Sequence, residues 1–222
     1  YAVGDFCYAG SVLAENIAKW DGTAWSDLDI GLGTCFDDVL AVAIDKEQNI
    51  YVGGLFGYAG SSSISTGSVA KWDGASWSSL GGSVSGVVYA MTLDNNDNLI
   101  IGGQIDSAGG VFINNDIALW NGTTWTTMGT LPPSGSRRFT ALKCDTANNI
   151  FAGGFNVFTT ASLFNNVIKW NGSSWVDVDS TVDGNLYALE LSQNCKLYAG
   201  GAFLTISGVS SANISWYDLN GD

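Results

Sequence analysis

The chain has 222 residues, a formal net charge of −13 and no histidine. Without histidine it can have no Ser-His-Asp relay, no histidine-ligated zinc or copper and no imidazole pH switch. The negative charge opposes binding to nucleic acid phosphates, and no apolar run has the roughly 20 residues that a membrane-spanning segment needs. We therefore expect a globular chain with no nucleic-acid partner and no membrane span in this segment.

A tryptophan motif recurs about every 50 residues. Tryptophan followed by Asx-Gly occurs four times, each time with a second tryptophan five residues after the first. These residues are Trp20, Trp25, Trp72, Trp77, Trp120, Trp125, Trp170 and Trp175. A fifth, degenerate copy has Tyr217 in the place of the first tryptophan. Asx-Gly is typical of a two-residue type I′ hairpin turn, in which Trp20 would face Thr23 and both tryptophans of a copy would share one face of the sheet.

A Gly-Gly motif keeps the same spacing. Its members are Gly53, Gly54, Gly102, Gly103, Gly153, Gly154, Gly200 and Gly201. The first copy reads Ala2-Val3-Gly4-Asp5, so that Asp5 replaces the second glycine. We expect glycine here to let the strand approach its neighbour closely or bend.

Each repeat predicts four short antiparallel strands and no helix. The first strand is apolar, the second ends at Gly-Gly, the third ends at the first tryptophan, and the fourth carries the second tryptophan. This pattern predicts an all-β fold, a single β-propeller domain of about five four-stranded kelch-like blades. The blade segments are approximately 1–34, 35–83, 84–131, 132–181 and 182–222. The first and last blades are incomplete, so either the native polypeptide continues beyond both ends, which we favour, or a neighbouring subunit supplies strands by self-assembly.

The order of these motifs resembles the kelch repeat over essentially the whole chain. It is closer still to the kelch-like repeats of secreted bacterial surface propellers and of fungal cortical polarity-marker ectodomains. The resemblance implies a propeller that is extracellular or at the cell surface. Galactose-oxidase-type kelch enzymes hold copper with histidine ligands, so that activity does not carry over to a chain without histidine.

The four cysteines are Cys7, Cys35, Cys144 and Cys195. In a four-stranded meander, the loops that hold Cys7 and Cys35 emerge on one face, and those that hold Cys144 and Cys195 also share a face. An even count with this topology predicts two disulfides and an oxidising compartment. The alternative is that all four are small buried hydrophobic residues.

Three glycosylation sequons begin at Asn121, Asn171 and Asn213. Asn121 and Asn171 occupy the turn position that Asp21 fills in the first repeat, so hairpin geometry alone would also select asparagine there. A turn tip nevertheless tolerates a glycan. The sequence therefore predicts a glycoprotein if the source is a eukaryote, and simple turns if it is a bacterium.

We expect no catalysis, no metal and no cofactor. Only Glu190 falls within a predicted inner strand, and a single carboxylate does not make an acid–base pair. The acidic turn at residues 94–98 lacks the glycine and the distal glutamate of an EF-hand calcium loop, and similar turns recur in other repeats.

The expected function is a structural or recognition scaffold, with a protein or a glycan bound by the loops between the second and third strands. These loops share one face and vary in sequence while the frame stays constant. They are residues 57–68, 107–115, 157–165 and 204–212. A lectin is the alternative, resting on the aromatic residues Tyr8, Tyr58, Phe112, Phe158 and Phe164. A polysaccharide-cleaving enzyme is a third alternative.

Overall fold

The computed structural model describes residues 1–114, 116–132, 137–157, 167–178, 182–206 and 209–219. This part of the chain contains β-strands joined by turns and has no helix, which confirms the predicted fold class. The chain order of the main strands also follows the predicted repeats.

The strands are numbered along the chain. The first repeat has β1 (Ala2–Val3), β2 (Tyr8–Ala9), β3 (Val12–Leu13), β4 (Ile17–Trp20) and β5 (Trp25–Ser26). The second has β6 (Asp38–Ile44), β7 (Ile50–Leu55), β8 (Tyr58–Ala59), β9 (Ile64–Ser65), β10 (Val69–Trp72) and β11 (Trp77–Ser78). The third has β12 (Val84–Leu93), β13 (Leu99–Ala108), β14 (Val111–Phe112), β15 (Ile117–Trp120) and β16 (Trp125–Thr127). The fourth has β17 (Arg138–Cys144), β18 (Ile150–Phe155), β19 (Ile168–Trp170) and β20 (Trp175–Asp177), and the last has β21 (Asn185–Leu191), β22 (Lys196–Ala202), β23 (Thr205–Ile206), β24 (Val209–Ser210) and β25 (Ile214–Asp218).

Five antiparallel sheets follow one another along the chain, and we number them sheet 1 to sheet 5. Sheet 1 is β1-β4-β5, sheet 2 is β6-β7-β10-β11, sheet 3 is β12-β13-β15-β16, sheet 4 is β17-β18-β19-β20 and sheet 5 is β21-β22-β25. The loops predicted between the second and third main strands contain short hairpins, formed by β2–β3, β8–β9, β23–β24 and by β14 with the end of β13. We call the end of the sheets that carries them the hairpin face.

The tryptophan hairpin differs from the predicted two-residue turn. Trp20 pairs directly with Trp25, and not with Thr23. The side chain of Asp21 accounts for the longer turn, because its Oδ1 accepts the backbone N–H groups of Thr23 at 2.7 Å and Ala24 at 2.8 Å. The two tryptophans still share a face, and their ring centroids lie 5.2 Å apart.

The Gly-Gly motif faces a β-bulge in the first strand of its own sheet. In sheet 2 the pairing shifts at Leu40, between Val39 and Ala41, and a Cβ atom on Gly54 would lie 2.0 Å from the carbonyl oxygen of Asp38. The extra residue pushes the backbone toward the second glycine, so no side chain fits there. Equivalent bulges occur in β12, β17 and β21.

The first repeat corrects the predicted alignment of this motif. The amide of Gly4 donates to the carbonyl of Asn16 at 3.1 Å, just as the amide of Gly54 donates to Ser68 at 3.1 Å. Gly4 therefore holds the second glycine position, and Val3, not Gly4, holds the first. Asp5 lies one residue beyond the motif.

The core is divided among four hydrophobic clusters, one between each successive pair of sheets. Between sheets 2 and 3, for example, Tyr51 and Val69 of one sheet pack with Val88, Ile101 and Trp125 of the next. The fold is therefore held together by contacts between neighbouring repeats. Among the described residues, no such cluster joins sheet 5 to sheet 1.

Candidate functional site

The second tryptophan of a repeat ties its sheet to the preceding one. Its indole N–H donates a hydrogen bond to a backbone carbonyl at the end of the preceding sheet, and both groups are buried. The three bonds run from Trp77 to Leu28 at 2.8 Å, from Trp125 to Leu80 at 2.6 Å and from Trp175 to Met128 at 2.6 Å. No acceptor for the indole of Trp25 is found among the described residues.

The first glycine of each Gly-Gly pair makes room for the following sheet. A Cβ atom on Gly53 would lie 2.6 Å from Val88 Cγ1, and one on Gly102 would lie 2.7 Å from Phe139 Cβ. Gly200 of sheet 5 differs, because a Cβ there would meet no atom closer than 3.9 Å. The position is thus packed where a next sheet follows and open in sheet 5.

The first strands of sheets 2 to 5 line an open cavity of about 260 Å³, which we call the central channel. It is lined by the bulge residues Leu40, Tyr89, Thr140 and Tyr187 together with their neighbours. Near its end, Glu190 pairs with Lys143 at 2.8 Å, and this hydrogen bond lowers the pKa of Glu190. A carboxylate held ionised by a lysine is a poor general acid at neutral pH.

Aromatic rings and arginine stand at the hairpin end of this channel. The Arg138 guanidinium lies 5.9 Å from the ring centroid of Tyr89 and 6.0 Å from that of Phe155. Its neighbour Arg137 is buried and pairs with Asp116 at 3.6 Å. Of these two adjacent arginines, Arg137 belongs to a buried ion pair and Arg138 lies at the channel rim.

Exposed apolar side chains collect on the hairpin face. Phe112 of β14 is 74% exposed, and Tyr8 of β2 and Leu204 beside β23 are also largely exposed. Tyr8 pairs with Leu13 across the first hairpin. These short hairpins therefore expose apolar side chains at one end of the five sheets.

A Tyr-Ala-Gly motif positions some of these residues, and sequence reasoning missed it. Tyr8-Ala9-Gly10 and Tyr58-Ala59-Gly60 occupy equivalent hairpins, and each glycine has positive φ. Phe112 lies instead on the strand opposite Ser107, so the predicted aromatic residues do not all share one position. Phe158 and Phe164 lie outside the described residues, as do residues 115, 207 and 208 and most of the loop at 157–165.

A family model described as the Rax2 C-terminal beta propeller domain matches residues 37–186. The chain belongs to this family. The match confirms the resemblance to cortical polarity-marker propellers and supports a general scaffold role for the domain. No curated protein sequence matches the chain.

Several solved structures are similar to this Rax2-type propeller. The structure titled "YCF48 bound to D1 peptide" is 12% identical, with a TM-score of 0.50 over 90% of this chain and 55% of that chain. The computationally designed Ika4 protein is 12% identical, with a TM-score of 0.48 over 81% of this chain and 90% of Ika4. PorZ, a bacterial surface component of the type-IX secretion system of Porphyromonas gingivalis, is 12% identical, with a TM-score of 0.49 over 76% of this chain and 25% of PorZ. At this identity the likeness concerns the fold alone.

The cysteines of this Rax2-type propeller are free thiols in the structure, so both disulfides stay predictions. Cys7 and Cys35 lie together: the Cys7 thiol donates to the Cys35 carbonyl oxygen at 3.9 Å, and its contact with the Cys35 side chain, together with desolvation, raises the pKa of Cys7 to about 11. Cys144 and Cys195 line one cavity of about 490 Å³ between sheets 4 and 5, and burial raises the pKa of Cys144 to about 11.

The three sequon asparagines are exposed. Asn121 and Asn171 cap their turns through Oδ1, which accepts the backbone N–H two residues on, at 3.0 Å in both cases. Asn213 precedes β25 at the hairpin face, with φ of 67°. Their glycosylation stays a prediction.

The acidic turns of this propeller fold back on themselves. Both carboxylate oxygens of Asp94 accept hydrogen bonds from Asn98, one from its backbone and one from its side chain, each at 2.8 Å. Within the described ranges, no group of three or more cysteine, aspartate or glutamate side chains is arranged to hold a metal ion. The same residues include no helix of the length and apolar character needed to cross a membrane.

Proposed function

We propose that this Rax2-type propeller is a non-catalytic recognition scaffold, extracellular or at the cell surface, that binds a protein partner through its hairpin face. The observation that carries the proposal is the concentration of exposed apolar side chains on these hairpins. They are Tyr8, Leu13, Tyr58, Val111, Phe112 and Leu204.

The chemistry of this face suits a protein partner. Exposed tyrosine and phenylalanine side chains are the kind of anchors that carry binding energy at protein interfaces. Val111 and Phe112 are held by pairing of β14 with β13, so little ordering is needed on binding.

A surface location is supported by the cysteines and the sequons, because disulfides and N-linked glycans are features of secreted and cell-surface proteins. Cys7 and Cys35 are already neighbours, and the sequon residues Asn121, Asn171 and Asn213 are exposed. The resemblance to secreted and ectodomain propellers points to the same place. The absence of catalysis is supported by the pairing of Glu190 with Lys143, which occupies the one inner-strand glutamate.

Site-specific crosslinking on intact cells of the source organism tests the proposal. Purified chain carrying p-benzoylphenylalanine at Tyr8 or at Phe112 should give one discrete protein adduct after irradiation. The same group at Thr146, which is exposed at the opposite end of the sheets, is the control. Excess unlabelled chain should remove the adduct, whereas excess Phe112→Ser should not. No adduct, or equal adducts from Thr146, would contradict the proposal.

A lectin is a second candidate, favoured by the equivalent positions of Tyr8 and Tyr58 in the hairpins of the first and second repeats. Sugar rings stack on such exposed aromatic faces. Glycan-array binding that Tyr8→Ala and Tyr58→Ala weaken, while Phe112→Ser leaves it unchanged, would establish this function. An array without signal rules it out.

A further inference from the structure

The end of the central channel nearest the hairpin face carries an arginine among aromatic rings. The Arg138 guanidinium lies 5.9 Å from the ring centroid of Tyr89 on sheet 3 and 6.0 Å from that of Phe155 on its own sheet. The ring of Phe155 lies 5.6 Å from that of Tyr187 on sheet 5. We call these four residues the rim site. Hydrophobic clusters join sheet 3 to sheet 4 and sheet 4 to sheet 5, so contacts within the chain fix the arrangement of the site.

The charge of Arg138 is not neutralised by a carboxylate among the described residues. This is unexpected in a chain with 21 acidic residues against 8 basic ones. The cation among the channel-lining residues, Lys143, is paired with Glu190 at 2.8 Å. A guanidinium that contacts aromatic rings still has N–H groups for an anion, and it can bind a carboxylate through two parallel hydrogen bonds. Because Arg138 is exposed, the rim site offers such a position to a ligand.

The repeat frame does not explain this arginine. Arg138 pairs with Phe155, the residue after the second glycine of the Gly-Gly motif. In the same register, sheets 2, 3 and 5 carry Asp38, Val87 and Asn185. Each sheet therefore places a different side chain at this end of the channel. Variation on a constant scaffold is the usual pattern of binding residues.

An apolar wall lies next to the arginine. Tyr187 is 53% exposed and Leu40 is 43% exposed, and both line the channel cavity of about 260 Å³. Thr140 Oγ1 donates to the Leu186 carbonyl at 2.6 Å, which joins the first strands of sheets 4 and 5 beside Tyr187. The site is thus held in place by the fold, so little ordering is needed on binding. A cavity of this size fits a small molecule or the end of a peptide.

We propose that the rim site binds a carboxylate that has an apolar or aromatic group next to it, as in a small aromatic acid or the C-terminal residue of a peptide. Arg138 binds the carboxylate, and the rings of Tyr89 and Tyr187 pack against the apolar group. The rim site does not include the exposed side chains of the hairpins. This proposal therefore does not depend on the proposed partner of the hairpin face.

An NMR titration of the ¹⁵N-labelled chain with N-acetylphenylalanine tests the site. The chain has two arginines, Arg137 and Arg138, so its arginine Nε–H spectrum contains two signals. The Arg138 signal should shift with a dissociation constant of about 1 mM or lower, and the signal of buried Arg137 should move much less. The amide of the same probe lacks the charge and should bind about tenfold more weakly or worse. No shift up to about 10 mM, or equal binding of the amide, would overturn the proposal.

Substitutions separate the roles of the arginine and the rings. Arg138→Gln should weaken binding about tenfold or more, and Tyr187→Ala about threefold or more. Lys71→Gln is the matched control and should bind like wild type, because it removes one positive charge that lies over Tyr51 and not in the channel. The backbone amide of Tyr89 follows binding in each variant, and dispersed indole N–H signals show that each is folded. Undiminished binding by Arg138→Gln would contradict the proposal.

A peptide probe distinguishes the two sources of the carboxylate. Acetylated glycyl-glycyl-phenylalanine with a free C-terminus presents the same terminal residue at the end of a chain. Binding at least as tight as that of N-acetylphenylalanine would assign the rim site to a peptide C-terminus, and weaker binding would assign it to a small free acid. Both results support carboxylate recognition by Arg138.

Discussion

Single tryptophans connect the sheets because each combines a buried ring with one directional hydrogen bond. Trp125 is 3% exposed, and its indole reaches the Leu80 carbonyl at 2.6 Å. A hydrogen bond of this kind contributes about 1 kcal/mol net, but leaving the buried carbonyl without a donor costs about 1–3 kcal/mol. Because an unpaired buried carbonyl costs more than the hydrogen bond contributes, substitution of these tryptophans should destabilise the fold.

Trp125→Phe should therefore lower the free energy of unfolding by about 1–3 kcal/mol. Phenylalanine keeps most of the apolar contact but cannot donate to Leu80. Trp25→Phe is the matched control, since Trp25 holds the same repeat position without this bond among the described residues. Urea unfolding followed by circular dichroism measures both. Equal losses would mean that ring packing, and not the hydrogen bond, makes the connection.

The first glycine of Gly-Gly offers a second matched pair. Gly102→Ala places a methyl group 2.7 Å from Phe139 Cβ and should destabilise the chain by about 1–3 kcal/mol through overpacking. Gly200→Ala, at the same repeat position but open, should change stability by less than about 0.5 kcal/mol. Thermal melting compares the two. A Gly200→Ala variant as unstable as Gly102→Ala would show that strand conformation, not the next sheet, selects glycine.

Acid should weaken the turn at Asp45. Burial alone would raise the pKa of this carboxyl, but hydrogen bonds from Asn49 at 2.7 and 2.8 Å and from Tyr51 at 3.2 Å hold it below the usual value. A lowered pKa in the folded state means that the stabilisation is present above the unfolded pKa and is lost as pH falls through the folded pKa.

Wild type should thus exceed Asp45→Asn in stability by about 1–2 kcal/mol at about pH 7, and the gap should shrink at about pH 3. Urea midpoints at the two pH values measure it. Tyr51→Phe removes one donor and should give a smaller pH dependence than wild type. Parallel pH profiles for wild type and Asp45→Asn would refute the assignment.

At the scale of elements, the short hairpins are anchored to the segments that link successive sheets. The Gly33 amide of the link before sheet 2 donates to the Tyr58 carbonyl at 2.8 Å, and the Gly60 amide donates back to Gly31 at 2.9 Å. The first hairpin is joined to the same link by the adjacent thiols of Cys7 and Cys35. The hairpin face is consequently rigid at its base and variable at its tips.

Oxidation should convert the Cys7–Cys35 contact into a covalent link. A disulfide would close a loop of 28 residues and stabilise the chain by roughly 3–4 kcal/mol. Because the thiolate is the reactive form and the pKa of Cys7 is raised to about 11, the bond should form faster as pH rises. Peptide mapping after oxidation and thermal melting of Cys7→Ser measure both effects. A Cys7 peptide that stays reduced in the natively sourced protein would contradict it.

The main strands were predicted because local sequence motifs mark their ends. Features that depend on a side-chain contact or on a distant backbone group were missed. Asx-Gly and Gly-Gly mark strand ends, so the order of main strands followed from the sequence. The longer turn at Asp21 was missed because a side chain caps it, and the alignment of Gly4 was missed because Asp5 hid the shift. The carbonyl that Trp77 contacts belongs to Leu28, and a backbone acceptor has no residue signature.

On the scale of the whole molecule, the chain is a series of sheets with nearest-neighbour interfaces. Within the part of the chain that the structure describes, sheets 2, 3 and 4 have hydrophobic clusters on both sides, and sheets 1 and 5 have one on a single side. Stability in such an array is close to a sum of sheet and interface contributions. The repeat spacing predicted loops between the second and third main strands, but it did not indicate the short hairpins within them or the positions of their aromatic residues. Partner binding by these loops stays a prediction.

Hydrogen exchange in dilute solution should show that the inner sheets are more protected than the outer ones. Amides of β13, in the middle of the array, should exchange most slowly, and those of β1 and β25 fastest, because the outer sheets can open without disturbing a second interface. Mass spectrometry of peptic peptides measures the protection. Uniform protection across all five sheets would indicate one cooperative unit instead.

The indole-to-carbonyl connection also bears on how such a domain can evolve. The second and third repeats each carry a donor tryptophan, Trp77 or Trp125, and an acceptor carbonyl, that of Leu80 or Met128, so each is bonded to the repeats on both of its sides in the same way. A gene duplication that copies a single repeat inserts a sheet whose two sides already match its neighbours. Whole repeats can therefore be added to the array or removed from it, while the sequence of the hairpin tips can vary without disturbing these bonds.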